Sequence, residues 1–227
     1  MLVSLTRQKF EELIPLLATG PQYGYYWGKF PDFLKRLLIS VISVCIVVFI
    51  LGYFLFGEGL LTFFLGVVGS LYWLWAPIYL ASLRNFASRR LPYSGFLRGE
   101  VLDLFVSEEL IGEEQTVNNR GQLVLVENRE RRLNIEVGDE TGFTTQLQVP
   151  LRREHKAIAL GQMAEMIVMS YRPDLSSIAK VSDIYIPDRN LWISDYPILR
   201  RDAFAEVSRR LPNSDNFPSP KNRRRKR

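Results

Sequence analysis

The amino-acid sequence predicts an α+β membrane protein, in which a transmembrane α-helical hairpin is followed by a small β-rich domain on the cytoplasmic face. Residues 37–56 form a run of 20 without a charged side chain, and residues 60–83 form a second run of 24. As an α-helix, the shorter run extends about 30 Å, which is the thickness of a bilayer's hydrocarbon core. After about Phe96, apolar and polar residues alternate in short stretches, which is typical of β-strands.

Changes in composition predict the domain boundaries: an N-terminal interfacial segment (1–36), the hairpin (37–83), a β-rich domain (84–211) and a disordered basic tail (212–227). Only residues 57–59 separate the two apolar runs, too few to cross the membrane again, so the two helices are expected to be antiparallel. Lys and Arg residues lie before the first run and after the second, but not in the turn. Because positive charges stay on the cytoplasmic side, we expect both termini in the cytoplasm.

The N-terminal segment begins with a predicted amphipathic helix. Thr6 can cap this helix, which should run to about Leu17 and be kinked or ended by Pro15. Four apolar residues share one face at helical spacing: Phe10, Leu13, Ile14 and Leu17. This face can lie in the membrane surface or on a partner, or it can pack on the protein's own soluble domain. The sequence leaves both alternatives open.

An aromatic-rich stretch follows a chain break expected at Gly20 and Pro21 and leads into the first span. Its members are Tyr23, Tyr25, Tyr26, Trp27, Phe30 and Phe33. Aromatic rings with a polar edge prefer the headgroup layer, so the stretch is predicted to be an interfacial belt that contacts lipid. A patch that binds a partner protein is the alternative. At the end of the second span, bulky aromatic residues lie beside Pro77, where that helix can bend.

The two apolar runs contain no Asp, Glu, Lys, Arg or His residue. Ion and proton pathways need such groups inside the membrane, so their absence argues against a transporter that acts alone. Gly66 and Ser70 have the spacing of small residues that lets helices approach closely, and Gly69 and Ser43 can add to it. We interpret these residues as the packing face between the two helices of the hairpin.

No combination of residues indicates catalysis, a metal site or a cofactor. The single histidine, His155, stands among charged residues and is expected to be solvated, which leaves no catalytic triad and no two-histidine metal site. Glycine motifs that bind phosphates or dinucleotides are missing from the sequence. The single cysteine, Cys45, excludes a disulfide within one chain. We therefore predict a protein that is not an enzyme and holds no cofactor.

The polar half of the chain is predicted to form a small barrel or sandwich of the size of SH3 or OB domains. Alternation in residues 133–137 and 143–149 around a Gly-flanked turn predicts a β-hairpin. Residues 163–169 can be helix or strand. Further along, we expect strands and then a closing helix with Phe204 and Val207 inward, at residues 181–186, 191–193 and 202–211.

An exposed region of this domain is predicted to contact a partner through Tyr185, Trp192 and Tyr196. Aromatic residues of this kind are enriched at protein interfaces. Burial of Trp192 inside the domain is the ordinary alternative, because large aromatic side chains also fill cores.

The basic tail carries more positive charge than the chain as a whole. Its cationic residues contribute +6 to a formal net charge of +5: Lys221, Arg223, Arg224, Arg225, Lys226 and Arg227. They can bind anionic lipid headgroups, at roughly 1 kcal/mol per residue near the surface, or the phosphates of RNA or another polyanion. A solubilising terminus without a fixed partner is the third alternative. Sequence-specific nucleic-acid binding is not expected, because the rest of the chain is not basic.

Two stretches point beyond these patterns. One is Ala18-Thr19-Gly20-Pro21-Gln22-Tyr23 with Tyr26-Trp27-Gly28-Lys29-Phe30, and the other runs from Ile184-Tyr185-Ile186-Pro187 through Leu191-Trp192-Ile193-Ser194-Asp195-Tyr196-Pro197 to Leu199, Arg201 and Asp202. With these stretches the chain resembles, over most of its length, a family of two-span thylakoid membrane proteins of cyanobacteria and chloroplasts. Members of that family often carry the label of phosphate ABC transporter permease. The resemblance implies a cyanobacterial thylakoid protein that is associated with photosystem II assembly.

These observations predict a non-enzymatic accessory factor whose hairpin docks beside partner helices in the membrane and whose β-rich domain recruits a partner. Photosystem II assembly intermediates are the partner that the resemblance implies. One alternative is an accessory subunit of a membrane transporter. Another is a tether that holds a ribosome or nucleic acid at the membrane through the basic tail.

Overall fold

A computed structural model describes residues 1–28, 30–56, 59–117 and 121–210. The fold is α+β, as predicted, with an apolar helical part and a large antiparallel sheet. The α-helices are α1 (Arg7–Leu13), α2 (Gly20–Trp27), α3 (Phe30–Ile46), α4 (Leu60–Ser70), α5 (Tyr72–Arg89) and α6 (Arg201–Arg210), and a π-helical segment, Val47–Phe56, continues α3. The strands are β1 (Leu2–Ser4), β2 (Tyr93–Val117), β3 (Leu123–Gly138), β4 (Thr144–Pro150), β5 (Met163–Ser170), β6 (Ile178–Val181), β7 (Ile184–Ile186) and β8 (Leu191–Ile193).

Among the described residues, one helical stretch, Phe30–Ile50, is long and apolar enough by itself to cross a membrane, with a mean hydropathy of 2.5 in its most apolar 18-residue window. The second apolar run differs from the single span predicted for it, because α4 and α5 meet at an angle of 71°. The bend lies at Leu71, whereas Pro77 lies inside α5. At the bend, the backbone N–H of Trp73 donates a hydrogen bond of 3.0 Å to Ser40 Oγ, which ties the start of α5 to α3.

The N-terminal helix packs on the protein's own domain, which decides between the two alternatives. Thr6 Oγ1 accepts a hydrogen bond from the Lys9 N–H, and α1 ends before Pro15. The side chains of Phe10, Leu13 and Ile14 are buried against the sheet and α6. Leu17 is 70% exposed and does not belong to this face, because the helix ends before reaching it.

The expected break at Gly20 and Pro21 is wrong, because these residues begin α2. Proline suits the first turn of a helix, where its missing N–H would have no partner. Gln22 Oε1 accepts a hydrogen bond of 2.9 Å from the Thr19 N–H and so closes the N-terminus of α2. The aromatic stretch is therefore largely helical, and its side chains point in several directions.

The sheet has eight strands in the order β4-β3-β2-β5-β7-β8, with β1 on β2 and β6 on β5. The predicted hairpin is confirmed as β3 and β4, and the undecided run at 163–169 is β5. In the part of the chain that the structure describes, β4 and β8 are not paired and all strands belong to one sheet. The expected barrel or sandwich is therefore not observed.

Both faces of the central strand β5 are buried, since its side chains alternate between two apolar clusters. On one face, Met166 and Val168 pack with residues from β2, β3, β4, β7 and β8. On the other, Ile167 and Met169 pack under α1 and α6. The closing helix is confirmed as α6, and Phe204 is fully buried in this second cluster.

Two strands extend well beyond the rest of the sheet. β5 pairs with β2 only as far as Glu100, and β4 pairs with β3 only from Arg132 onward. From there β2 and β3 pair with each other alone, up to Val117 opposite Leu123. We call residues 102–117 and 123–131 the arm. The sequence did not indicate a strand of 25 residues such as β2.

Candidate functional site

The aromatic residues that the sequence singled out lie in different places, and Tyr185 and Trp192 form a pair. Their ring centroids are 4.6 Å apart, and both rings pack on Phe204 of α6. Tyr185 is buried, with 8% exposure, so its expected exposure is wrong. Trp192 is half-buried at the edge of the second apolar cluster, with the guanidinium of Arg201 lying 5.3 Å from its ring centroid. The alternative prediction, in which Trp192 is buried inside the domain, therefore holds for part of this side chain.

Tyr196 instead joins the two predicted patches. Its ring lies edge-on to the rings of Tyr25 and Tyr26 on α2, with centroids 5.1 Å and 6.1 Å apart. The guanidinium of Arg84, from α5, lies 4.4 Å from the Tyr196 ring centroid and 5.8 Å from that of Tyr25. Burial raises the pKa of both Tyr26 and Tyr196. We call Tyr25, Tyr26, Arg84 and Tyr196 the junction cluster, because it connects the helices to the loop after β8.

A buried polar layer lies next to the junction cluster. Gln22 and Asn85 exchange two side-chain hydrogen bonds, of 2.8 Å and 3.0 Å, and both residues are fully buried. Gln22 also donates to the carbonyl of Ile198, whose own N–H donates to Asp183 Oδ1 over 3.0 Å. Buried polar groups that satisfy one another in this way specify a single arrangement of the elements that carry them. The layer therefore sets how α2, α5 and the loop after β8 meet.

Two ionisable groups within this layer are desolvated. Burial raises the pKa of Asp183 to about 7. Burial also lowers the pKa of Lys180, whose ammonium donates a hydrogen bond of 2.7 Å to Ser88 Oγ on α5. Both residues were missed by the sequence analysis. Their only signal is that charged residues flank short apolar strands, which is common on any protein surface.

The remaining aromatic residues face the apolar helices. Trp27 packs on Phe33 and Trp73, with centroids 5.6 Å and 5.8 Å away, and the Arg36 guanidinium lies 5.7 Å from its ring centroid. Tyr23 packs on the other side of Trp27, and its hydroxyl donates to the carbonyl of Leu74. Phe30 is 68% exposed. The predicted belt is thus divided between the junction cluster, the base of the helices and the surrounding medium.

A groove with a volume of about 780 Å³ lies between the π-helical segment and α4. Apolar and small residues line it, among them Val48, Gly52, Gly66 and Ser70. Gly69 faces α3 instead, where a Cβ atom would approach Ser43 Cβ to 3.2 Å. The helix contact predicted from small residues is therefore made at Gly69 and Ser43, whereas Gly66 and Ser70 leave room beside it.

The arm is the largest feature that the sequence analysis missed. Many of its apolar side chains, on both faces, are 45–75% exposed, and these include Phe105, Val106, Leu110, Ile111, Leu123, Leu125 and Val126. Outside the ladder that joins β2 to β3, each strand presents an outer edge that no other described strand pairs with. Exposed edges of this kind accept an additional strand from a partner. In the sequence, the arm is marked only by the short apolar run at residues 123–126.

The single histidine does not lie in the surroundings that the sequence predicts. His155 is 3% exposed, so the expected solvated histidine is wrong. Its Nδ1 atom accepts a hydrogen bond of 3.2 Å from the Arg152 N–H, and burial lowers its pKa. Within the described ranges, no three His, Cys, Asp or Glu side chains are grouped as a metal site would require.

The basic residues of the predicted tail, from Lys221 to Arg227, lie outside the described residues. Their assignment to lipid or polyanion contact stays a prediction.

Comparisons with known proteins add a family. No curated protein and no solved structure shows significant similarity to the chain. The family model that does match covers residues 3–219, nearly the whole sequence, and it assigns no activity. The chain belongs to this family, DUF8619, a family of unknown function.

Proposed function

We propose that the protein is a non-enzymatic integral membrane accessory factor that docks on a membrane protein complex. Photosystem II assembly intermediates of a cyanobacterial thylakoid are the complex to which the resemblance points. In this proposal the chain spans the bilayer twice, through Phe30–Ile50 and through the bent pair of α4 and α5. Both termini and the sheet lie on the cytoplasmic side, because the Lys and Arg residues flank the spans at that end.

The observation that carries the proposal is the uncovered apolar surface of the helices. In the most apolar window of Phe30–Ile50, only 11% of the residues are buried by the rest of the chain. Large apolar side chains such as Phe49 and Phe63 are more than half exposed. A contiguous surface of this kind requires lipid or partner helices. The groove beside Gly66 adds a place where a partner helix can approach closely.

The junction cluster supports a docking role, because it holds the sheet in a set orientation relative to the helices. Tyr25 and Tyr26 on α2 contact Tyr196 of the soluble domain, and Arg84 on α5 contacts the same ring. The arm then extends from this oriented sheet with exposed edges. In the proposal, the helices select the membrane location and the arm recruits the partner.

A pull-down in mild detergent tests the proposal. The tagged full chain is purified from membranes, and the recovered proteins and pigments are identified by mass spectrometry. The arm variant carries Leu110→Ser and Leu125→Ser. A control carries Leu160→Ser and Tyr171→Ser, which change exposed apolar residues outside the arm. We expect photosystem II intermediates with the native chain and the control, and their loss with the arm variant.

Other outcomes contradict the proposal. Recovery of permease subunits would identify a transporter accessory subunit instead. Salt-sensitive recovery of RNA that disappears without residues 221–227 would identify a tether. A chain that is released into the soluble fraction without detergent, or a soluble domain that protease digests from the non-cytoplasmic side, would disprove the membrane topology.

A further inference from the structure

Two cations meet where the helices join the sheet. Arg84 lies on α5 and is the first charged residue after the second apolar run, residues 60–83. Lys180 lies on β6, and its Nζ atom donates a hydrogen bond of 2.7 Å to Ser88 Oγ on α5. Ser88 follows Arg84 by one helical turn, and side chains four residues apart are neighbours, with about 5–6 Å between their Cβ atoms. The helix and the sheet thus bring one cation each to this junction.

Neither cation has a counterion in the described chain. No described carboxylate approaches Arg84 or Lys180 within the 4.0 Å of an ion pair. Arg84 contacts aromatic rings instead, with its guanidinium 4.4 Å from the Tyr196 centroid and 5.8 Å from that of Tyr25. Burial and the nearby positive charge of Arg84 lower the pKa of Lys180. Two like charges in a partly desolvated place repel each other, and an anion bound between them removes that cost.

The junction also keeps hydrogen-bond donors for such an anion. The Lys180 ammonium carries three N–H donors, of which the described chain accepts one, at Ser88. Ser88 Oγ in turn donates to the carbonyl of Arg84 over 3.0 Å. The Arg84 guanidinium presents a planar fork of N–H groups, a geometry that matches the oxygens of a phosphate. Beside it, the buried hydroxyl of Tyr196 has no hydrogen-bond partner among the described residues. Unused donors of this kind, next to uncompensated cations, indicate an anion that belongs to the site.

The surroundings of the two cations favour a lipid as the source of the anion. Exposed apolar side chains lead along α5 to Arg84: Leu80, one turn before it, is 36% exposed, and Leu83, directly before it, is 46% exposed. Trp75 and Tyr79, further back on the same helix, are exposed as well, and such rings prefer the headgroup layer. Basic pockets at the cytoplasmic ends of membrane helices bind lipid headgroups. A lipid with its phosphate at Arg84 can therefore lay its acyl chains on this apolar surface.

We propose that Arg84 and Lys180 bind the phosphate group of an anionic membrane lipid, whose acyl chains lie along the exposed apolar side chains of α5. The phosphate connects α5 to β6, so the lipid reinforces the contact between helices and sheet that the junction cluster makes. This inference rests on the membrane location given under the proposed function. It does not depend on the complex on which the protein docks.

Native mass spectrometry of the full chain in detergent tests the site, with phosphatidylglycerol as the anionic probe and phosphatidylcholine as the zwitterionic one. We expect severalfold higher occupancy by phosphatidylglycerol. Lys180→Gln and Arg84→Gln should each lower that occupancy severalfold, whereas Lys180→Arg, which keeps the charge, should retain it. The control is Arg90→Gln, which removes a cation that also lies over an aromatic ring, that of Phe86. Equal occupancy in the native chain, Lys180→Gln and Arg90→Gln would refute the site, and so would equal binding of the two lipids.

Thermal unfolding separates a lipid from a free phosphate ion. A ligand that binds the folded state alone raises the melting temperature. We expect phosphatidylglycerol to raise it for the native chain and for Arg90→Gln by at least twice the shift in Lys180→Gln, and inorganic phosphate to leave it unchanged. An equal shift with inorganic phosphate would overturn the assignment to a lipid.

The two proposals fail in different ways. A native chain that leaves the membrane without detergent would disprove the proposed function. A chain that stays in the membrane but shows the same shift in every variant would disprove the lipid site alone.

Discussion

The two ends of β2 have opposite surroundings, although Val101 near the root and Phe105 in the arm both pair with β3. At the root, Leu97 and Val101 are at most 1% exposed, because the sheet and its helices cover both faces. In the arm, Phe105 and Leu110 are 45% and 47% exposed, although they stand in the same β2–β3 ladder as Val101. Backbone pairing alone therefore does not bury a strand. A strand is buried when other elements pack on each of its faces, and the described chain does not cover both faces of the arm in this way.

The comparison teaches that the two ends serve different purposes. An isolated two-stranded ribbon is marginally stable in water, so the arm depends on the root for its position. Its half-exposed apolar residues contribute little to the fold and remain available for contacts. The root, in contrast, carries the packing that holds the whole domain, including the junction cluster. The predictions that follow separate these roles.

The largest expected effect is the loss of packing at the root. Phe96→Ala removes a ring that is 2% exposed and stacked on Phe204, and should lower the free energy of unfolding by about 3–5 kcal/mol. Phe105→Ala removes the same side chain from the arm and should cost less than about 1 kcal/mol, because water already reaches that ring. Urea denaturation of the detergent-solubilised chain, followed by circular dichroism, measures both. Equal losses would show that the arm is covered in solution.

A pH dependence at the root is the next largest effect. Because the folded-state pKa of Asp183 is raised to about 7, this group binds more protons in the folded chain than in the unfolded chain between about pH 4 and pH 7. The contribution of Asp183 to the free energy of unfolding is therefore fully present below about pH 4 and is lost as the pH rises through 7. The loss should be on the order of 4 kcal/mol.

Asp183→Asn is the matched variant, because an amide oxygen can still accept the hydrogen bond from Ile198. Thermal unfolding at pH 5 and pH 8 should show a smaller decrease for the variant than for the native chain. Identical decreases would assign the dependence to other groups.

A smaller effect is expected at the junction cluster. In a double-mutant cycle of Arg84→Gln and Tyr196→Leu, the coupling should be about 1–2 kcal/mol, since the cation lies 4.4 Å from the ring centroid in a partly desolvated site. The control pair is Phe86 on α5 and Arg90, the residue directly after this helix, at 4.6 Å, where the ring is 46% exposed. Its coupling should be below about 1 kcal/mol. A junction coupling no larger than the control would mean that Arg84 does not hold the domain to the helices.

The smallest effect is expected from the arm variant with Leu110→Ser and Leu125→Ser. Both residues are about half exposed, so the free energy of unfolding should change by only about 0.5 kcal/mol per site. Leu133→Ser, at a residue 3% exposed on the same strand as Leu125, should by contrast cost several kcal/mol. A thermal shift in the arm variant comparable to that of Leu133→Ser would make the arm part of the core, and would remove the basis for a recruitment role.

Much of the local structure was predictable because it depends on patterns within a few residues. The alternation at 133–137 and 143–149 predicts the β3–β4 hairpin, and the cap at Thr6 with Pro15 behind it predicts the bounds of α1. Such patterns do not show that α4 and α5 bend at Leu71 instead of Pro77. At that bend, the Trp73 N–H donates a hydrogen bond to Ser40, a residue far away in the sequence.

The candidate site was predictable as residue types but not as an arrangement. Aromatic composition singled out Tyr25 and Tyr196, yet no periodicity relates them, and Arg84 and Asp183 carried no distinguishing signal. The predicted belt was treated as one surface. In the structure, α2 places its aromatic side chains against different neighbours. The arm escaped notice because its residues alternate like those of any other strand.

By itself, the sequence determined that the chain combines long apolar helices with an antiparallel β-rich domain. The reason is that hydrophobic periodicity and the length of an apolar run depend only on residues close together in the chain. Only the tertiary structure decided that Tyr196 contacts α2, that Tyr185 and His155 are buried, and that β2 and β3 extend beyond the other strands of the sheet. The physical reason is that burial depends on which elements pack over a residue. A strand with neighbours on both faces and a strand with none can have the same pattern of side chains.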